Sequence, residues 1–292
     1  MSTDRRGFFK NIAAAATLTA IPTAALAREK HKAPADAVGL LYDATKCIGC
    51  KACVVKCKEV NNLPADTDGY GGGLYDAPNS LNGTTKNVIQ LYKNAGEESF
   101  VKKQCMHCID PACVGACMLG ALQKSKFGVV AYDPDKCVGC RYCQAVCPFN
   151  VPQFQWTKIA PRIVKCELCK DRLAEGKEPG CTEVCPRKAV IFGSYADLLD
   201  EAHKRLRENP GKYVPKVYGE HELGGTQVLY LSHIEFEKLG FRFSQQRSVP
   251  DLQQTVSHGI YKGFAGPVAL YALLGAVMFR NRKKNPEEEK ES

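Results

Sequence analysis

The residues of this chain that could do chemistry are its sixteen cysteines, which fall into four groups of four. Each group has two residues between its first two cysteines and three between its last two. The groups are Cys47, Cys50, Cys53 and Cys57; Cys105, Cys108, Cys113 and Cys117; Cys137, Cys140, Cys143 and Cys147; and Cys166, Cys169, Cys181 and Cys185. Thiolates at this spacing are ligands of 4Fe–4S clusters, and the third group with Pro148 is a complete C-x2-C-x2-C-x3-C-P run. The sequence therefore predicts four 4Fe–4S clusters and an electron-transfer function.

Two other chemistries also use paired cysteines. An exported chain with an even number of cysteines could be a disulfide scaffold, and C-x2-C pairs also bind zinc. Disulfide frameworks scatter their cysteines across loops, and a zinc site does not need the third and fourth cysteine of each group. The repeated ligand spacing therefore favours iron–sulfur clusters over both alternatives.

An internal repeat indicates a duplicated unit. Tyr42-Asp43 and the segment 46–51 recur as Tyr132-Asp133 and the segment 136–141, each with glycine before the second cysteine. A fixed internal similarity is the signature of a repeated structural unit. The short spacing between groups two and three predicts a compact two-cluster core, and groups one and four are expected to flank it and pair with each other. The predicted fold class is α+β, with tandem ferredoxin-like domains of two clusters each and insertions.

The formal charge of +9 does not indicate nucleic-acid binding once the predicted clusters are counted. Sixteen thiolates and four oxidised cluster cores together add about −8, so the loaded chain is near neutral. Much of the basic excess lies near the cysteines and is expected to offset buried anionic clusters, although a solvated basic face explains part of it. These residues are Lys46, Lys51, Lys56, Lys58, Lys102, Lys103, Lys136, Arg141, Lys165, Lys170 and Arg172.

The N-terminus has the pattern of an export signal. Arg5-Arg6 precede an alanine-rich apolar run that ends in Ala25-Leu26-Ala27. Paired arginines, a short apolar region and an A-x-A site predict a twin-arginine (Tat) signal peptide over residues 1–27. A retained N-terminal anchor is the alternative, and the short alanine-rich run argues against it.

The C-terminus contains a second apolar stretch, Gly263–Phe279, without a charged residue. Its seventeen residues give about 26 Å of helix, and adding Ile260 and Tyr261 predicts a transmembrane helix over residues 259–280. The basic residues after it predict a cytoplasmic tail, residues 281–292, by the positive-inside rule. A buried core helix is the alternative interpretation.

Between these ends, residues 28–193 form the predicted four-cluster region, with an insertion at 61–104 that contains a strand-like segment at 87–92. Residues 194–258 form a predicted extension, in which Ser194 caps a helix that Pro210 stops and a strand follows at 227–231. His107 lies inside the second group and is interpreted as a packing residue or a hydrogen-bond partner of a cluster. No motif predicts a catalytic residue, so the chain is expected not to be an enzyme by itself.

The four groups resemble those of the iron–sulfur subunits of DMSO reductase, polysulfide reductase and formate dehydrogenase. The chain resembles more closely the HybA family, the iron–sulfur subunits of Hyb-type membrane-bound NiFe hydrogenases. The resemblance covers nearly the whole chain and includes both terminal signals. It is carried by the segments 103–108, 110–111, 140–143, 147–148, 150–152, 165–169, 183–186, 189–193 and 224–227.

The resemblance implies that the first three cysteines of each group share a cluster with the last cysteine of another group. The implied ligand sets are Cys47, Cys50, Cys53 and Cys185; Cys166, Cys169, Cys181 and Cys57; Cys105, Cys108, Cys113 and Cys147; and Cys137, Cys140, Cys143 and Cys117. Lys58 and Met118 stand where the family often has proline after the fourth cysteine, so local geometry is expected to differ there.

The resemblance further implies an electron relay between a periplasmic NiFe hydrogenase, with its large and small subunits, and a quinone-reactive integral membrane subunit of the HybB type. The implied location is the periplasmic face of the cytoplasmic membrane, with a single C-terminal anchor after Tat export. Two alternatives are an electron-transfer subunit of a molybdopterin oxidoreductase and a structural anchor without redox function.

Overall fold

The computed structural model describes residues 31–66 and 78–284. The predicted signal peptide, residues 1–27, lies outside the described residues, and so does most of the predicted tail. Lys30–Pro250 form one compact unit, which contains all sixteen cysteines. The described residues form both helices and strands, which confirms the predicted mixture of α and β structure.

Nine strands and seven α-helices alternate along the described residues. The strands are β1 (Val38–Asp43), β2 (Asn87–Asn94), β3 (Glu97–Gln104), β4 (Leu122–Lys124), β5 (Val130–Tyr132), β6 (Gln153–Phe154), β7 (Ile163–Val164), β8 (Val190–Ser194) and β9 (Val228–Leu231). The helices are α1 (Ala52–Val60), α2 (Ala112–Gly115), α3 (Tyr142–Ala145), α4 (Lys170–Ala174), α5 (Gly180–Glu183), α6 (Tyr195–Glu208) and α7 (Val249–Lys284). Two 3-10 turns span Pro134–Lys136 and Glu222–Gly224.

Strand β1 is the centre of the three-stranded sheet, with β8 antiparallel on one edge and β9 parallel on the other. Successive side chains of a strand point to opposite faces. Leu40 and Tyr42 belong to the larger core cluster, whereas Leu41 packs against Leu198 and Ala202 of α6. Both faces of β1 are therefore buried, so the strand that leads into the first cysteine group is fixed on both sides.

The strands around the cysteine groups repeat one pairing. Strand β4 follows the second group and pairs antiparallel with β5, which precedes the third group. Strand β8 follows the fourth group and pairs antiparallel with β1, which precedes the first. Helices α2 and α3 are neighbours, and so are α1 and α5. This arrangement places the first group beside the fourth and the second beside the third, as the sequence repeat predicts.

The secondary structure predicted outside the cysteine groups is largely present. Helix α6 begins at Tyr195 and ends two residues before Pro210, although the Ser194 side chain makes no capping hydrogen bond. Strand β9 occupies most of the predicted segment at 227–231. The insertion contains the antiparallel hairpin of β2 and β3, of which only the first strand was predicted.

The predicted transmembrane helix at residues 259–280 requires a correction. The segment is helical and lies within the longer α7. Among the described residues, however, no helix combines the length and the apolar character needed to cross a membrane. The uncharged stretch of seventeen residues, Gly263–Phe279, is by itself shorter than the hydrocarbon core of about 30 Å.

Candidate metal centres

All sixteen cysteines are described and none forms a disulfide. The thiols of Cys47, Cys50 and Cys53 line one pocket together with Cys185 of the fourth group, and we call these four cysteines the first site. Strand β1 carries the chain to Cys47, and β8 carries it away from Cys185. Because these strands are hydrogen-bonded neighbours, the sheet itself brings the two distant groups together.

A second pocket, of about 210 Å³, is lined by four other cysteines, which we call the fourth site: Cys137, Cys140, Cys143 and Cys117. Its remaining lining is mainly apolar and includes Leu122 and Ile163. Both pockets also have basic lining residues, whereas no described aspartate or glutamate lines either of them. Four thiols, an apolar wall and basic neighbours fit an anionic 4Fe–4S cluster.

The remaining eight cysteines are grouped here by the implied ligand sets. We call Cys166, Cys169, Cys181 and Cys57 the second site, and Cys105, Cys108, Cys113 and Cys147 the third site. Burial raises the pKa of the Cys57 thiol to about 12, and the thiols of Cys166 and Cys169 add to the rise. Burial raises the pKa of Cys108 well above its usual value, and three thiols of its own site raise it further: Cys105, Cys147 and Cys113.

The two pockets bring together the cysteines of two implied ligand sets, and the assignment of ligands at all four sites stays a prediction. Within the described ranges no three His, Cys, Asp or Glu side chains converge closely enough to hold a single metal ion. In a cubane cluster each thiolate binds a different iron atom, so the ligands surround the group and do not meet at one point. The thiols must lose their protons to bind iron, and the raised pKa values make cluster insertion a proton-releasing event.

The loops around the second cysteine have the same backbone conformation in groups one and three. Gly49 and Gly139 have φ values of 69° and 72°, and the residues after the cysteine, Lys51 and Arg141, have φ values of 56° and 64°. Left-handed backbone is readily accessible to glycine and costly for most other residues. These loops therefore depend on glycine for their shape, which agrees with the role that the repeat predicts.

The two loop glycines should differ in their tolerance of a side chain. A Cβ at Gly49 would overlap the Phe100 ring, whereas a Cβ at Gly139 would lie 3.4 Å from the Phe154 ring, an ordinary contact. Left-handed backbone destabilises both alanine variants by about 1–2 kcal/mol, but only Gly49→Ala must also displace an aromatic ring. We expect Gly49→Ala to lose more cluster iron and to melt at a lower temperature than Gly139→Ala. Equal losses in the two variants would contradict this, and adding Phe100→Leu to Gly49→Ala should restore part of the loss.

The turn after the fourth cysteine is also repeated, with one exception. The backbone N–H groups of Gly120, Asn150 and Lys188 donate to the carbonyls of Cys117, Cys147 and Cys185, three residues earlier. The turn at Cys117 forms although Met118 replaces the usual proline. In the first group, by contrast, α1 continues through Cys57 to Val60. The expected local difference is thus present at Lys58 and absent at Met118.

Three of the eleven basic residues singled out in the sequence are buried, namely Lys58, Lys102 and Lys165. The Lys58 ammonium lies 2.7 Å from Asp66, so it has a carboxylate partner. Lys165 donates hydrogen bonds to the carbonyls of Val130 and Cys166. Burial alone would lower the pKa of the Lys102 ammonium, but neighbouring cysteines, Cys181 first, raise it above the usual value.

No sequence pattern singled out Lys124, which follows the second group on β4. Its ammonium donates to the carbonyls of Cys108, at 2.8 Å, and Ile109, at 3.2 Å. Burial lowers its pKa to about 8. Lys124 therefore braces the loop of the third site through backbone carbonyls, and only the pairing of β4 with β5 could have indicated its position.

His107 is buried within the loop of the third site, and its backbone has the left-handed conformation, with a φ of 47°. Burial lowers its pKa well below the usual value, so the ring is neutral. The Val130 N–H donates to Nδ1 at 3.1 Å, which leaves the ring proton on Nε2. Nε2 has no hydrogen-bond partner among the described residues. The ring is thus a neutral N–H donor beside Cys105 and Cys108, in agreement with its interpretation as a packing or hydrogen-bonding residue.

Comparisons with known proteins identify relatives of this chain that carry 4Fe–4S or iron–sulfur descriptions. The family model described as a 4Fe–4S dicluster domain matches residues 97–195. These residues contain the second, third and fourth cysteine groups. The model therefore covers about a third of the chain, and the rest is covered by individual relatives.

The chain is 38% identical over 319 aligned positions to the hydrogenase-2 operon protein HybA of Escherichia coli O157:H7, with 97% of each chain covered. It is 38% identical to the iron–sulfur subunit of the nitrate-inducible formate dehydrogenase of Escherichia coli K12, with 67% of this chain and 68% of the relative covered. It is 35% identical to the formate dehydrogenase iron–sulfur subunit of Haemophilus influenzae, with 91% and 84% covered.

Proposed function

This chain belongs to the HybA family, whose members are related to formate dehydrogenase iron–sulfur subunits, and from this premise we propose that it relays electrons along four 4Fe–4S clusters. The proposed relay joins a periplasmic NiFe hydrogenase, made of a large and a small subunit, to a quinone-reactive integral membrane subunit. The clusters would supply one-electron oxidation and reduction. The chain's own residues would hold, space and insulate them, and no residue of the chain would act as a catalyst.

The observation that supports this proposal is that cysteines of successive sites pack in common clusters: Cys53 with Cys181, Cys105 with Cys166, and Cys113 with Cys143. Burial raises the pKa of the Cys181 thiol of the second site, and Cys53 of the first site is close enough to add to the rise. Burial raises the pKa of Cys105 in the third site to about 11, with a contribution from Cys166 of the second. Likewise, burial and neighbouring thiols, among them Cys143 of the fourth site, raise the pKa of Cys113 to about 12. A row of neighbouring sites is what a relay requires.

The two ends of this row reach the surface. Among the sixteen cysteines only Cys50, in the first site, and Cys140, in the fourth site, are exposed. Next to these thiols lie exposed apolar side chains, Ile48 at the first site and Val138 at the fourth. Exposed apolar groups beside a redox site suit contact with another protein. Electrons would therefore enter at one end and leave at the other, while no cysteine of the two inner sites is fully exposed.

We also propose that the chain works at the periplasmic face of the cytoplasmic membrane after Tat export. The paired arginines and the A-x-A site of residues 1–27 support this part of the proposal. Tat export carries proteins that are already folded, and clusters must be inserted before export. The duplication into two ferredoxin-like units of two clusters each belongs to the same proposal and is supported by the repeated strand pairing.

A molybdopterin oxidoreductase is the second candidate for the complex, because formate dehydrogenase subunits are among the relatives and one covers 91% of this chain. Purification of the tagged chain in mild detergent should recover a nickel-containing partner under the first proposal and a molybdenum-containing partner under the second. Metal analysis of the recovered complex distinguishes them directly.

The relay itself is tested by anaerobic EPR during reductive titration of the purified complex. We expect cubane signals and about sixteen iron atoms per chain. A chain without stoichiometric iron and without cubane signals would exclude the relay and favour the structural anchor.

A further inference from the structure

Lys102 is a fully buried lysine on β3, and its ammonium has no hydrogen-bond partner among the described residues. The backbone around it is fixed by two tyrosine hydroxyls from the core. Tyr42 donates to the carbonyl of Phe100 at 2.8 Å, and Tyr230 donates to the carbonyl of Lys102 at 2.9 Å. The position of the Lys102 side chain is therefore set by the sheet and its core.

The surroundings of Lys102 come from two different cysteine sites. Its side chain lines the pocket of the first site together with Cys53 and Cys185. Burial raises the pKa of the Cys57 and Cys181 thiols of the second site, and the Lys102 ammonium opposes the rise in both. One cation is thus close to thiols of both sites.

Two other lysines near the cysteines, the buried Lys165 and the half-buried Lys124, are placed differently. The ammonium groups of Lys165 and Lys124 donate to backbone carbonyls of the cysteine loops, which gives each of them a structural partner. Burying an ammonium without a partner is strongly unfavourable. The cost at Lys102 can be offset only by negative charge close to it. The groups that can supply that charge are the thiolates and their clusters, which carry about −2 each when oxidised.

We propose that Lys102 is the common counter-cation of the first and second sites and raises the reduction potentials of both of their clusters. Reduction adds a negative charge, so a nearby cation stabilises the reduced form more than the oxidised form. Because one ammonium serves both sites, it raises both potentials together. The inference rests on the proposed four-cluster relay and adds to it the residue that tunes one of its steps.

The test is an anaerobic redox titration, followed by EPR, of the purified complex with Lys102→Met. We expect two of the four cluster signals to titrate at lower potential, with iron content unchanged and the other two signals unmoved. Lys102→Arg keeps the charge and should retain the wild-type potentials. Lys103→Met is the matched control, because the Lys103 ammonium bonds to the Leu239 carbonyl and lies over the Phe241 ring. Lys103→Met should shift the potential of no cluster signal.

Unchanged potentials in Lys102→Met, or a shift of one signal only, would overturn the proposal. If Lys102→Met does not assemble, Lys102→Gln, which is also uncharged, is titrated in its place with the same expectation. A failure of the underlying relay would look different, because the wild-type chain would then lack iron and cubane signals altogether.

Discussion

Replacing Cys185 with alanine should remove the cluster of the first site and leave the other three, although Cys185 belongs to the fourth cysteine group. The structure places Cys185 in the pocket of Cys47, Cys50 and Cys53, and not with the first three cysteines of its own group. Iron should fall from about sixteen to about twelve atoms per chain. The measurement is iron content of the anaerobically purified protein, together with the loss of one cluster signal in EPR.

Double variants test whether one cluster takes its ligands from two different cysteine groups. Cys185→Ala combined with Cys47→Ala should lose no more iron than either change alone, because both remove ligands of one cluster. Cys185→Ala combined with Cys166→Ala should lose about eight iron atoms, because two clusters are affected. The reverse pattern would mean that each group binds its own cluster. It would refute the ligand sets without touching the relay.

Replacing Asp43 with alanine should produce a large loss of stability. The Asp43 side chain is fully buried, with one carboxylate oxygen 3.1 Å from Arg205 and 3.0 Å from the Tyr213 hydroxyl. Its other oxygen accepts a hydrogen bond of 2.6 Å from the Thr45 hydroxyl. Arg205 would keep its ion pair with Glu201 at 2.7 Å, but alanine would leave the buried Tyr213 hydroxyl and one side of the guanidinium without an acceptor, at a cost of about 1–3 kcal/mol for each group. The measurement is the urea midpoint of unfolding, with cluster absorbance recorded in parallel.

Asp133 is the matched control for Asp43, since the two aspartates occupy equivalent places in the internal repeat. The Asp133 carboxylate is 40% exposed and pairs with Lys136 at the surface. Asp133→Ala should therefore move the urea midpoint little. Similar shifts in the two variants would show that the buried contacts to Arg205 and Tyr213 do not carry the effect. Because β1 ends at Asp43, the first site should lose its iron before the fourth in the Asp43 variant.

These two aspartates show which structural features could be predicted from the sequence and which could not. The sequence aligns Tyr42-Asp43 with Tyr132-Asp133, and the strands that contain or precede them pair in equivalent ways. It could not predict that one aspartate is buried and the other exposed. That difference arises because α6 packs on β1 and brings Arg205 to Asp43 from 162 residues away. The partner of a buried charge is set by packing, which short-range patterns do not contain.

The same limit applies to the lysines around the cysteines. Eleven basic residues were singled out because they are close to the cysteines along the chain. They include Lys102, which is buried between two sites, and Lys136, which is exposed. They do not include Lys124, which contacts the loop of the third site. Closeness in sequence does not fix the direction of a side chain, because that direction depends on the register and pairing of its strand.

The predicted chemistry of this protein can be read from its sequence, because the number and spacing of thiolates constrain which metal group can bind and each group of cysteines spans no more than about twenty residues. The sequence also determined the internal repeat and most of the secondary structure around the groups. Folding in three dimensions is needed to establish which sites are neighbours, which two thiols reach the surface and where the Lys102 ammonium lies between two sites. These properties follow from the antiparallel pairing of β1 with β8 and of β4 with β5 and from the burial of Lys102, which depend on contacts between residues far apart in the chain.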